Sequence, residues 1–424
     1  MTINRAVPLL AAGLASIGWN AVAAAQPAAS AKIPVRQLGA ITAVSKDTLG
    51  PRVAVRALPD GRVLVNDIMR QRVRLFDATL ASSTIVMDSG GGSANTMAPV
   101  AIPSAQLIPY GADSTLYVDI SSSSLLVLDP NGKVAHVMAL PKPRDAMFLA
   151  IGAAYGSPAM DSKGRLVYRG VIINMPKIDP LAPNPMAFRM PEQPDSAPIV
   201  RADFDTRAVD TLITMKVLKP GNTSINPDKE GNIVIKVTVN PLDTGDEWAM
   251  LTDGSIAVVR GHDYHIDWLD PDGTKRSTPK MPFDWKRLTD EQKQFKIDSI
   301  RPELEKQLAQ QRGMMQTVQT PNGPRKMSIE FDFVPLDKIP DYEPPISPGS
   351  VRADLDNHLW IVPRTALATG SAGLRYDVVN RNGEIVERVE FPKNRALAGF
   401  GPGGLVYLLN TDGKTSVLER ATLR

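Results

Sequence analysis

Along most of the chain, apolar residues arrive in short β-prone runs separated by Gly-bearing turns, and the same order of runs keeps returning. The clearest copy runs from Trp248 to Met281, WAMLTDGSIAVVRGHDYHIDWLDPDGTKRSTPKM. It predicts a strand over Trp248–Leu251, a turn at Asp253-Gly254 and a second strand over Ser255–Val259. A short connection, a third strand over Tyr264–Leu269, a turn at Asp272-Gly273 and a last strand complete it. Asp-Gly and Asn-Gly between such runs are strong hairpin signals, because Gly tolerates positive φ.

Four antiparallel strands of this size make one propeller blade, at roughly 40–50 residues per repeat. Further copies cover Val53–Met87, Gln106–Leu140, a split copy from Ser157 that resumes near Ile199, and Val351–Phe391. The last, ALAGFGPGGLVYLLNTDGKTSVLERATL, runs out after its third strand. The β-prone segment Ile33–Val44 precedes the first copy and is predicted to supply the missing strand. The fold class is therefore all-β, a six-bladed β-propeller closed by the N-terminal strand. Closure removes the open sheet edge. A competing seventh blade would rest on Ile225–Leu242, which reads as a hairpin excursion because no third and fourth strands follow before Trp248.

The segments LPDGRVLV and DGSIAVVRGHDYHIDWLDPDGT, with the recurring hydrophobic-Asp-x-x-Gly turns, resemble exported six-bladed propellers of the TolB-like and NHL-like kind. The resemblance spans nearly all of residues 33–424 and implies the fold. It carries over no catalytic residue.

Residues 1–25 read differently. Arg5, an Ala-rich uncharged stretch and a small-x-small site, either Ala21-Val22-Ala23 or Ala23-Ala24-Ala25, form an export signal; cleavage at the second leaves a single propeller domain over 26–424. Localisation is then periplasmic or secreted, with no stable membrane anchor after cleavage. The chain has no Cys, so disulfides and thiolate metal sites are excluded. A formal charge of +3 over 424 residues gives no electrostatic case for nucleic acid.

In a blade, the turns joining strands one to two and three to four share one face; the other connections share the opposite face. The tight turns here fall on the first, and the long connections on the second, with the tight turn Asp412-Gly413 as an exception on the second. Among the latter, 174–198 is rich in Pro and Met, and 283–346, between blades four and five, contains a helix. Thr289 with Gln292 forms its capping box, and Ile297, Ile300, Leu304 and Leu308 form a stripe that would pack on the disc.

The residue closing each second strand toward the insertion face is polar: Asp67, Asp119, Arg169, Arg260, Arg364 and Asn410. Such a ring would bind a small polar ligand or a protein partner, although a strand leaving the core ends in a soluble residue for its own reasons. Asp263, His265 and Asp267 alternate onto one strand face, the pattern of a weak metal site or a solvated face. No cofactor is predicted beyond a divalent cation such as calcium. The leading reading is a binding protein. The alternative is a metal-dependent hydrolase of the lactonase or esterase type at the channel mouth, with Asp246, Glu247 and Asp354 as its groups. No Gly-x-Ser-x-Gly elbow, phosphate loop, His-Glu-x-x-His helix or dinucleotide fingerprint is present.

Overall fold

The period-two apolar runs become strands, and helices are few. The computed structural model describes residues 33–90, 95–97, 104–152, 155–172, 194–218, 223–228, 230–312, 317–320, 323–367, 373–412 and 415–423. The export signal expected over 1–25 lies outside them, as do residues 174–193 of the Pro- and Met-rich insertion.

Strand β1 (Val35–Val44) comes first. The first sheet holds β2 (Val53–Ala57), β3 (Val63–Asp67), β4 (Arg72–Phe76) and β5 (Ser83–Asp88), with short β6 (Asn95–Thr96) at its edge. The second holds β7 (Ile108–Tyr110), β8 (Ser114–Asp119), β9 (Ser124–Leu128) and β10 (Val134–Ala139). Helix α1 (Ala146–Ile151) leads to the third: β11 (Ala159–Met160), β12 (Leu166–Arg169), β13 (Ser196–Ala202) and β14 (Val209–Lys216). After the hairpin β15 (Thr223–Pro227) and β16 (Ile233–Val239) comes the fourth: β17 (Glu247–Met250), β18 (Ile256–Val259), β19 (Ile266–Leu269) and β20 (Lys275–Ser277). Helix α2 (Asp290–Arg312) and the hairpin β21 (Thr317–Thr320) and β22 (Gly323–Phe333) follow. The chain ends through β23 (Val351–Ala353), β24 (Leu359–Ile361), the short helix α3 (Arg364–Leu367), β25 (Arg375–Val379), β26 (Ile385–Glu390), β27 (Arg395–Gly401), β28 (Leu405–Thr411) and β29 (Ser416–Leu423).

The turns are held by one recurring device. In two of the Asp-x-x-Gly turns the first residue accepts backbone N–H groups two and four residues on: Asp129 from Asn131 and Lys133, Asp161 from Lys163 and Arg165. Gly132 and Gly164 then take positive φ. In the turn at Asp354, which accepts from Asp356 and His358, Asn357 stands where Gly is usual and adopts φ 64°. Asn tolerates that region better than other side chains.

Neighbouring sheets share apolar side chains. Leu64, Val73 and Met87 pack with Tyr117 and Leu128 between the first and second. Leu116 and Val118 meet Leu166 and Val200, and Ile199 and Met215 meet Trp248 and Val258. Tyr376 and Val389 pack with Val406 and Leu408. Val63 and Phe76 of the first sheet pack with Tyr407 and Leu418 from the end of the chain. Next to the sheet of β25 the Arg381 guanidinium stands 4.5 Å from the Trp268 ring centre, and that of Arg276, on β20, stands 5.0 Å from it.

The chain ends are stitched together. Leu38–Val44 of β1 pair antiparallel with β29, while Val35–Gln37 pair in parallel with β26. The result is one eight-stranded sheet ordered β23-β24-β25-β26-β1-β29-β28-β27. The expected link between Ile33–Val44 and the last strand is present, and the parallel contact to β26 is an addition to it.

The hairpin expected within Ile225–Leu242 forms, but β16 pairs in parallel with β22, from Ile233↔Met327 to Val239↔Phe333. Two insertions distant in sequence thus build one extra sheet, β15-β16-β22-β21, where the sequence pattern had indicated only a helix in the second. The capping box is formed: the Thr289 N–H donates to Gln292 Oε1 (3.0 Å), and the Gln292 N–H to Thr289 Oγ1 (3.3 Å). Ile297 is buried against Leu242 and Ile339, and Ile300 and Leu304 are half-buried. The Leu308 side chain lies outside the described residues.

A Cβ on Gly39 would stand 2.2 Å from the Thr422 carbonyl oxygen. Gly39→Val should therefore part β1 from β29 and lower unfolding stability by about 2 kcal/mol, read from urea denaturation. An unchanged midpoint would show that this pairing contributes little.

Candidate functional site

Three long connections meet where β17 begins. Asp246 and Glu247 lie there, both buried, at 6% and 8% exposure. The Gly349 N–H, from the connection before β23, donates to Glu247 Oε2 at 2.8 Å. The Trp248 indole N–H donates to the Tyr155 carbonyl at 2.9 Å. Gly156 lies so close to that ring that a Cβ would stand 2.1 Å from Trp248 Nε1, so Gly is required. Arg169, closing β12, stacks over the Tyr155 ring at 4.3 Å.

Burial is the main reason the Glu247 carboxyl is pushed up to about 8; Asp246 adds to the rise, while the Gly349 N–H and the Arg169 charge oppose it. Burial likewise lowers Arg169, against the pull of Tyr155 and Glu247. At neutral pH this corner holds a protonated carboxyl, able to donate a proton or a hydrogen bond, beside a guanidinium.

Asp246 is differently placed. Its carboxylate accepts from Arg260 Nη1 (2.6 Å), the Lys216 N–H (2.7 Å) and the Gly261 N–H (3.1 Å). Arg260 also reaches Asp267 Oδ2 at 2.7 Å and the Thr214 carbonyl at 3.2 Å. Burial would lower Arg260, but these carboxylate bonds raise it above the ordinary value.

Of the six strand-end candidates, Arg169 and Arg260 join this corner. The other four have partners of their own, although Asp67 Oδ1 and the Arg364 Nε–H are buried without one. Asp67, at 1% exposure, accepts from the Gly50 N–H at 3.0 Å and lies 3.5 Å from Arg70. Asp119 ties its own turn through the Ser121 N–H, the Ser121 hydroxyl and the Ser122 hydroxyl. Arg364 reaches the Pro241 and Asp243 carbonyls. Asn410 donates to Glu419, which Arg395 also clamps at 2.6 and 3.1 Å.

Asp263, His265 and Asp267 do come together: His265 Nδ1 is 2.7 Å from Asp263 and Nε2 is 3.2 Å from Asp267. Both ring nitrogens are thereby engaged, and Ser277 and Arg260 take up Asp267. Among the described residues, no group of three or more His, Cys, Asp or Glu side chains is arranged to hold a metal ion. Asp246, taken by three donors, does not fit a divalent cation either. Asp354 belongs to the turn before His358 and bonds the Trp360 indole at 2.9 Å, at the opposite end of its strands from the start of β23; it is not part of the site.

Sequence reasoning did not find Tyr155 or Gly349, which no turn or period signals. Glu247 was named with Asp246 and Asp354 for the hydrolase reading, on residue type alone, since no spacing enforces it.

No protein-family model matches the chain, and no curated protein matches it. Among solved structures, it is similar to a gluconolactonase from Xanthomonas campestris, with TM-score 0.40, 9% identity and coverage of 89% of this chain and 88% of that one. It is also similar to virginiamycin B lyase from Staphylococcus aureus (TM-score 0.39, 10% identity, 90% and 98% covered). A third is the calcium-binding protein regucalcin from Agrobacterium tumefaciens (TM-score 0.40, 10% identity, 92% and 96% covered). Likenesses of this degree assign the chain neither a family nor an activity.

The unfolded Glu247 carboxyl ionises near its ordinary 4.5, whereas the folded one holds its proton to about 8. Its contribution to stability is complete below the first value and lost as pH rises through the second. Urea midpoints should fall from pH 5 to pH 8.5 more steeply in the wild type than in Glu247→Gln; equal slopes would refute the raised value.

Proposed function

We propose that the chain is an exported six-bladed β-propeller of the TolB-like or NHL-like kind, with one domain over 26–424 and a helix-bearing insertion at 283–346 between blades four and five. It binds a small polar ligand on the insertion-bearing face, at the corner of Glu247, Arg169 and Tyr155. The meander sheets, their shared apolar layers and the β1–β29 pairing support the architecture. The observation that carries the binding role is a buried, protonated Glu247 beside Arg169, where three connections converge. A neutral donor next to a guanidinium suits a ligand that presents a carboxylate and hydroxyl groups.

Gluconate is a simple probe of that chemistry. Calorimetric titration should give saturable binding, weakened at least about tenfold in Arg169→Gln and in Glu247→Ala. Glu247→Gln, which keeps a neutral donor, should retain most of the affinity. No saturable binding below about 10 mM would count against the site.

The second reading, a metal-dependent hydrolase, draws on the same near-neutral carboxyl, which has the proton affinity of a general acid or base. The engaged state of Asp246 weighs against it. Elemental analysis of the purified protein separates the two readings. A binding protein should carry no stoichiometric calcium or zinc and melt at the same temperature in chelator. A retained ion, with melting lowered by chelator, would favour the hydrolase.

A further inference from the structure

Where the largest insertion leaves the fourth sheet, its chain carries aromatic rings out to the surface. Of the four described tryptophans, Trp248, Trp268 and Trp360 are buried, none above 1% exposure. Trp285, by contrast, is 40% exposed, and Tyr342 is 45% exposed. Rings of that size left in water forfeit the gain of burial, and on a folded surface they mark a place of contact.

The pair is fixed in place. Phe283 meets the buried Tyr264 edge-on at 5.8 Å, and Trp285 meets Phe283 at 5.0 Å. Tyr342 stands 6.5 Å from Trp285, its ring turned by 81°. Arg287 and Tyr342 form a β-bridge, and the Leu288 N–H donates to the Asp341 carbonyl at 2.7 Å. Two stretches distant in sequence are thereby held side by side, so the rings need little ordering before they bind.

The chemistry around the rings narrows the occupant. Asp284, Lys286, Arg287 and Asp341 are exposed beside them. The ionised groups pair among themselves: Lys286 with Asp284 at 3.4 Å, Arg287 and Lys293 with Asp341 at 3.5 and 2.8 Å, and Lys296 with Glu343 at 2.7 Å. Four cations against three carboxylates leave one charge at most, so no strong field of either sign draws in a charged partner. A wholly apolar partner would strip water from these ions without replacing it. A pyranose ring meets both conditions. Its C–H groups, slightly positive, lie against the negative face of an aromatic ring, while its hydroxyls reach donors and acceptors at the rim.

We propose that Trp285 and Tyr342 form a binding platform for a neutral oligosaccharide whose sugar rings carry equatorial hydroxyls, which leave a flat C–H face free. The platform is built of other residues than the Glu247 corner and does not rest on the reading of that corner.

Cellotetraose, a neutral β-linked glucose tetramer, is the probe, titrated calorimetrically into the full chain. It should bind saturably below about 10 mM. Sorbitol, which has hydroxyls but no ring face, and benzyl alcohol, which has a ring face but no rim of hydroxyls, should both fail to match it. Trp285→Ala and Tyr342→Ala, at exposed positions, should each weaken cellotetraose at least about tenfold, with melting temperatures read alongside to show that the variants fold. Tyr342→Phe, which keeps the ring, should retain the affinity. The proposal is overturned if cellotetraose does not bind, if sorbitol or benzyl alcohol matches it, or if Trp285→Ala leaves its affinity unchanged. A dimer in sedimentation that Trp285→Ala dissociates would overturn it as well, since a second copy would then cover the rings.

Discussion

A chain built of short antiparallel sheets must dispose of its sheet edges, since each unpaired edge offers N–H and C=O groups to any passing strand. Here the two ends of the chain meet that need. β1 covers β29, and its first residues also reach β26, so a single strand joins two successive meanders. Val63 and Phe76 of the first sheet then pack on Tyr407 and Leu418 of the last elements. The positions of residues far apart in sequence, including those at the start of β17, follow from this closure. Gly39 is the local condition for it, because no side chain fits against the Thr422 carbonyl.

The contacts between sheets are not equivalent. Most are apolar layers of Val, Leu, Ile and Tyr, which need only bulk and shape. The contact of the fourth sheet with that of β25 also holds Trp268, close to Arg276 and Arg381, and the Asp377–Arg388 pair. Arg381 also bonds Asp270 at 2.5 Å, so ionic groups join this contact. Buried ionic groups contribute little net stability. Their presence there, beneath the largest insertion, is what distinguishes that side of the molecule chemically.

Much of the architecture was legible from local signals. Asp-x-x-Gly marks a turn because the Asp side chain binds the backbone two and four residues later and Gly accepts positive φ; both act within five residues. The Thr289–Gln292 box is equally local. The copy ending at Asn357 shows that the device survives replacement of Gly by Asn. What could not be read was the pairing of β16 with β22. Each looks like an isolated β-prone stretch, and the register joining Ile233 to Met327 leaves no trace in either segment alone.

The candidate site divides along the same line. By itself, the sequence determined that polar residues close the second strands and that Asp246 and Glu247 open another, because patterning of strands and turns is set by near neighbours. Only the tertiary structure decided which partners these residues meet. Four strand-end residues bond within their own surroundings, Asp354 belongs to a turn, and Arg169 and Arg260 are brought to two adjacent carboxyls. Glu247 holds its proton near neutrality because folding removes water from around it, and burial is a property of the assembled sheets that no residue type or spacing encodes.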